Sequence, residues 1–192
     1  MKLVLPTRTR MLGGNHPLTL EAGLMRGYII GEPERGWREL MVPCVAMGEL
    51  HPSDRQSIRE CSFEVAWRAA VAGDLPVTAD MSRRVLAATA PGDSDTRIAR
   101  AEAFLALATG DADGALARFT KFPAVKDDAP WWRRMVNVDV AIGVALCQLA
   151  RGDRAAAMTA LDRAEPMARE LLVSAPIDLG HRLDAIAALR RR

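Results

Sequence analysis

A glycine followed by an acidic residue recurs along the chain at Gly31-Glu32, Gly73-Asp74, Gly110-Asp111 and Gly152-Asp153. The intervals are 42, 37 and 42 residues. Self-similarity at such a period is what stacked helical hairpins produce, because each unit can bury its apolar face only against its neighbours. Each pair follows an apolar, alanine-rich stretch and precedes a second one. Glycine accepts the left-handed backbone that ends a helix, and the acid sits beside the positive end of the next helix dipole.

The stretches between the turns carry helical spacing. Ile98, Ala101, Leu105 and Ala108 step by three or four, as do Val138, Ile142, Ala145 and Leu149, then Ala157, Leu161, Ala164 and Ala168. Pro17, Pro52, Pro76, Pro91, Pro130 and Pro176 stand where helices should stop or start. Pro43 and Pro166 fall inside helical segments, which predicts a kink or an early stop at each. The pattern predicts nine helices, at about 17–30, 34–48, 53–72, 76–89, 95–109, 112–122, 129–151, 154–173 and 177–190. The first eight pair as hairpins over 17–48, 53–89, 95–122 and 129–173. The ninth, 177–190, sets Ile177, Leu183, Ile186 and Leu189 on one side and ends in three arginines, as a capping helix would. His181 is expected to be partly exposed on it. One all-α domain spans residues 1–192.

Composition agrees with helices. The 192 residues are 49% apolar, enough for a core, yet only 5% aromatic, a poor supply for β-strands. Lys+Arg 26 against Asp+Glu 24 leaves a formal charge of +2, which argues against a dedicated nucleic-acid or membrane-surface protein. No apolar run approaches the roughly eighteen residues of a membrane span. The opening MKLVLPTRTRMLGG lacks the apolar stretch and cleavage site of a signal peptide. Cys44, Cys61 and Cys147 are odd in number and widely spaced; they read as small buried hydrophobes in a reducing cytoplasm, outside any disulfide or zinc frame.

Within the hairpins a small residue stands five positions after the turn glycine and a bulky apolar one nine after it: Gly36 and Leu40, Ala115 and Phe119, Ala157 and Leu161. The small residue admits a close helix approach and the large one fills the groove beside it. Thr78 and Ser82 hold these places in the second unit and depart from the pattern. This resembles the tetratricopeptide repeat. The run Leu12-Gly-Gly-Asn-His16-Pro17-Leu-Thr-Leu20 is similar to the LGxxHPxTL connector of the longer repeats in kinesin light chain and bacterial signalling proteins, and Glu49-Leu-His51-Pro52-Ser-Asp54 is a degenerate second copy. The resemblance, covering about residues 8–170, implies a right-handed α-solenoid of four hairpins plus a cap. It also implies a concave groove, lined by the first helix of each hairpin, that binds a peptide or partner helix. The connector normally follows an earlier repeat, so the chain looks like the C-terminal part of a longer protein. In relatives of this architecture such arrays regulate signalling kinases or transcriptional regulators, and that is the alternative role.

Signals for chemistry are sparse. His16 and His51 belong to the connectors, where helix capping or loop packing accounts for them more simply than metal ligation. There is no GxSxG, no GxxxxGK[ST], and only Lys2, Lys121 and Lys126 as amines. Clustered aspartates such as Asp111 and Asp113 lack a calcium-loop pattern and fit helix starts. The expectation is a non-catalytic protein without cofactor or metal, acting as a scaffold or sensor with a protein or peptide partner. Trp131-Trp132, followed by Arg133-Arg134, has an interface composition: adjacent helical residues point about 100° apart, so one tryptophan anchors the third and fourth hairpins while the other faces solvent, or both bury against different neighbours. A homodimer through this pair is a further option. Arg83-Arg84, Arg133-Arg134 and Arg190–Arg192 could form a nucleic-acid stripe, which the balancing acids disfavour. Candidate partner contacts are Tyr28, Arg59, Arg100, Trp131, Trp132 and Arg134.

Overall fold

A computed structural model describes residues 4–29 and 33–192. Among the described residues all regular structure is helical: α1 (Val4–Leu12), α2 (Pro17–Ile29), α3 (Pro33–Leu50), α4 (Arg55–Ala72), α5 (Leu75–Ala87), α6 (Thr96–Ala108), α7 (Ala112–Thr120), α8 (Trp131–Ala150), α9 (Arg154–Leu171) and α10 (Pro176–Arg190). Helix α1 precedes the connector, in a stretch where the spacing predicts no helix.

The turns are built as their sequences require. Gly73, Gly110 and Gly152 take φ of +84°, +90° and +78°. The amides of the following Asp74, Asp111 and Asp153 bond back to the carbonyls of Ala69, Ala106 and Gln148, each at 2.9 Å, closing the preceding helix. The same aspartates open the next helix: their carboxylates accept from the N–H groups of Val77, Gly114 and Ala156 at 3.2, 2.8 and 2.9 Å. The turn at Gly31-Glu32 lies outside the described residues.

Each helix from α1 onward packs on the next. The even-numbered helices also touch one another, α4 on α6, α6 on α8 and α8 on α10. Helix α10 packs on α9 and α8 and also contacts α2, α3 and α4. The apolar interior divides accordingly. One cluster joins α4 through α10 around Trp67, Phe104, Phe119, Ile142, Leu161, Leu179 and Leu189; the other joins α2, α3, α4 and α5 around Trp37, Leu40, Met47 and Met81.

Small residues set the closest approaches. A Cβ on Gly27 would lie 2.8 Å from the Leu40 Cα, and one on Gly23 would lie 3.1 Å from the Pro43 Cβ. Gly36, Ala115 and Ala157 are buried, as are Leu40, Phe119 and Leu161. Thr78 and Ser82 are fully buried as well, so the second unit keeps the core-facing geometry with polar residues; the Thr78 hydroxyl donates to the Asp74 carbonyl at 2.8 Å.

Several expectations are corrected. Neither Pro43 nor Pro166 stops its helix. Apolar side chains bury on both sides of each, and that burial outweighs a lost hydrogen bond and ring clash costing about 3 kcal/mol. His181 is buried, because α10 packs on α8 and α9 with one face and toward α2 and α4 with another. Cys44 and Cys61 form a disulfide between α3 and α4, their Cα atoms 5.7 Å apart. An odd count leaves room for one bridge and one spare thiol, and the antiparallel hairpin brings positions 17 residues apart face to face. The cysteines therefore do not point to a reducing compartment. Cys147 is the free thiol; burial pushes it up to about 12.

Candidate functional site

A cleft of about 1070 Å³ opens where the N-terminal turns of α6, α8 and α10 meet the first half of α4 and the last turn of α2. Its floor is charged, and each helix contributes one member: Glu64 from α4, Arg100 from α6, Asp139 from α8 and Arg182 from α10, all buried. Arg182 donates from Nε to Asp139 Oδ1 at 3.0 Å and from Nη2 to Glu64 Oε2 at 3.3 Å. Arg100 Nη1 reaches Asp139 Oδ2 at 2.5 Å. Behind the floor, buried Arg68 donates to Glu64 Oε1 at 2.9 Å and to the carbonyls of Gly27 and Tyr28 at 3.1 and 3.2 Å. The guanidinium carbons of Arg182 and Arg100 stand over the rings of Trp67 and Phe63, each 4.4 Å from the centroid.

Local sequence explains these burials. Residues 61–71 of α4 are buried without interruption, so Glu64 and Arg68, one turn apart, go inside with Phe63, Val65, Ala66 and Trp67. Burial on its own would raise the Glu64 carboxyl; Arg182 and Arg68 outweigh it and hold the group down at about 2. Burial would lower Arg182, but Asp139 and Glu64 drive it above its ordinary range. Arg100 is lowered, by burial first, with Arg182 and Arg97 opposing the pull of Asp139. His181 bonds the Tyr28 carbonyl through Nε2 and is lowered, chiefly by burial. A carboxylate held this acidic is a poor proton acceptor near neutrality, and saturated guanidiniums are poor donors of protons. The floor organises helices and presents fixed charges.

The walls are apolar and aromatic. Met25, Ile29, Trp131, Trp132 and Ile177 line the cleft while remaining 51%, 41%, 36%, 56% and 48% exposed. Arg133 lies 5.6 Å from the Trp132 ring centroid. The segment 121–130, between α7 and α8, supplies a further wall through Pro123, Ala124, Val125, Lys126, Asp128 and Pro130. At the entrance Asp95 caps α6 by accepting from the Arg97 N–H at 2.9 Å, and Arg59 bridges Asp93 and Asp95 at 2.8 and 3.0 Å.

Of the six predicted contact residues, Tyr28, Arg100, Trp131 and Trp132 line this cleft. Both tryptophans stay partly exposed, so neither of the two arrangements expected for the pair is found; both lie in the first turn of α8, which begins at Trp131. Arg100 is buried in the floor rather than standing on an open surface. Tyr28 is half-buried, and burial, with Glu64 and Glu60 adding, pushes its phenol above the usual range. Arg59 braces the entrance without lining it. Arg134 turns away from the cleft to Glu170, at 2.6 Å. The sequence reading missed Glu64, Asp139, Arg182 and Ile177. The signal for the first two was a charge flanked on both sides by apolar residues, Phe63 and Val65 beside Glu64 and Val138 and Val140 beside Asp139. His16 Nδ1 accepts from the Leu18 N–H at 3.2 Å at the start of α2, and His51 Nε2 approaches the Asn15 carbonyl at 3.5 Å, so the two connectors meet. No group of three metal-ligating side chains occurs among the described residues, and no described helix is long and apolar enough to cross a membrane.

Compared with known proteins, the chain matches no family model, no curated protein and no solved structure at a significant level.

Proposed function

We propose that the chain is a non-catalytic helical-repeat module of the tetratricopeptide type, a right-handed solenoid whose cleft takes an extended segment of a partner protein. The observation that carries this role is the gathering of exposed apolar side chains. Twelve large ones are exposed among the described residues, and five of them, Met25, Ile29, Trp131, Trp132 and Ile177, line the one cleft. A patch of that kind, with fixed charges beneath and around it, has the composition of a recognition groove. The repeat type is supported by three turns of one geometry, at Gly73, Gly110 and Gly152, and by contact between alternate helices. It is supported also by the buried small-and-large pairs that follow the turns.

The test is selection of a displayed random peptide library on the purified chain, followed by affinity measurement on Trp132→Ala and Ile177→Asp. Both positions are exposed, so both variants should fold as the parent does. Selected peptides should lose ~10-fold or more in affinity on either substitution, the scale of an interface anchor. Peptides that bind both variants as tightly as the parent, or a library that yields no binder, would refute the role.

A further inference from the structure

The wall formed by segment 121–130 is attached in an uncommon way. Pro123 and Pro130 bracket it, and none of its ten residues is buried. At its start the Lys121 and Phe122 N–H groups bond back to the Ala117 and Phe119 carbonyls of α7, and within it the Ala129 N–H bonds the Lys126 carbonyl. Its middle is joined to a helix by one side chain. Asn137, in the second turn of α8, accepts from the Val125 N–H at 2.9 Å and donates through Nδ2 to the Val125 carbonyl at 2.8 Å.

A carboxamide sets an acceptor and a donor side by side, at the spacing of the N–H and C=O of one residue in a passing chain. Such a contact reads backbone and is indifferent to the side chain it holds. Asn137 stands on α8, one of the helices lining the cleft, and the backbone it holds belongs to a segment that is itself a cleft wall. Because the segment buries little, it can leave at small cost once another backbone satisfies Asn137.

We infer that segment 121–130 is a tethered occupant of a backbone-reading position at Asn137, which an extended partner segment takes over on entering the cleft. This occupancy rests on the peptide-binding role proposed above and adds its mechanism of entry: the incoming chain competes with Val125 for the carboxamide. Tethering gives the resident segment an effective concentration of roughly millimolar, so a free copy competes poorly against it.

The probe is a fluorescein-labelled peptide of Lys121–Pro130, titrated by anisotropy. It should show no saturable binding to the parent chain below roughly millimolar. Replacing residues 123–129 by a Gly-Ser segment of equal length with proline at position 125, which has no N–H for Asn137 to accept from, empties the position, and the peptide should then bind at least ~10-fold tighter. Adding Asn137→Ala should reverse that gain by ~10-fold, the worth of a pair of net hydrogen bonds. If the replacement does not fold, Val125→Pro serves instead, since it removes the N–H that Asn137 accepts. In that variant, amide exchange over 122–129 and tryptic cleavage after Lys126 should speed up by ~10-fold with the far-ultraviolet dichroism unchanged. Equal binding to parent and emptied variants, absence of binding to the emptied variant, or affinity insensitive to Asn137→Ala would each overturn the inference. Library-selected peptides that depend on Trp132 but ignore Asn137 would overturn it while leaving the peptide-binding role standing.

Discussion

Replacing Arg182 by methionine tests whether the charged floor holds α10 in place. The substitution nearly conserves volume, so its effect is chiefly electrostatic. Arg182 joins Glu64 and Asp139, on helices α4 and α8, and its removal leaves two buried carboxylates with one cationic partner each, Arg68 and Arg100. Breaking a buried pair by deleting one partner costs about 3–5 kcal/mol, and the surviving partners put this case near 3. Proton affinity gives the scale for the whole Glu64 site, since burial, Arg182 and Arg68 all enter it. Glu64 is held at about 2 against an ordinary 4.5, which at about 1.4 kcal/mol per tenfold change is worth on the order of 3 kcal/mol. Because the folded-state value is depressed, this stability is present above pH 4.5 and drains away as pH falls toward 2. Thermal unfolding followed by circular dichroism should therefore place the variant ~6–12 °C below the parent at pH 7. The gap should narrow at acid pH, since the variant has less of this term left to lose. A Tm within about 2 °C of the parent at pH 7, or a gap that stays constant down to pH 2.5, would refute the reasoning.

Two further outcomes follow from the packing. Alkylation of oxidised, denatured chain should label one cysteine, Cys147, and labelling of all three should require prior reduction; Cys44→Ala with Cys61→Ala should cost ~3 kcal/mol in a denaturant melt, the scale of closing a loop of this length. Gly27→Ala should cost ~1–3 kcal/mol, because its Cβ would lie 2.8 Å from the Leu40 backbone, whereas Gly180→Ala, with nothing within 4 Å, should be neutral or stabilising by up to ~1 kcal/mol; equal effects at the two sites would show that the α2–α3 approach is looser than described.

The readable parts of this chain were the local ones. A Gly-Asp pair ends one helix and starts the next with groups no more than five residues away, so Gly73-Asp74, Gly110-Asp111 and Gly152-Asp153 announced their turns. The apolar steps between them placed all nine expected helices within two residues of where they lie. What sequence spacing did not convey is long-range pairing. Arg182 reads as a solvent-facing charge on a capping helix until α4 stands opposite, 118 positions earlier, and Asp139 has its partners 39 and 43 positions away. The disulfide hid for a related reason, since three scattered cysteines say nothing of which hairpin brings two together. Position 137 is the sharpest case: an asparagine in a helix is ordinary until a loop twelve residues earlier presents its backbone to it.

Those same long-range contacts decide where the cleft lies. An open stack of hairpins has a groove running its whole length, whereas here α10 returns to α2, α3 and α4, and the guanidinium and carboxylate groups of four helices fill the middle. The cleft lies at the end where α6, α8 and α10 begin, lined by the exposed Trp131, Trp132 and Ile177. Buried ion pairs contribute little net stability compared with apolar packing of the same volume, yet they are costly to mispair. A floor built from them therefore favours one arrangement of the even-numbered helices over its neighbours in register. It is this selection of a single arrangement that keeps the apolar wall at the mouth of the cleft, the place the proposed peptide-binding role requires.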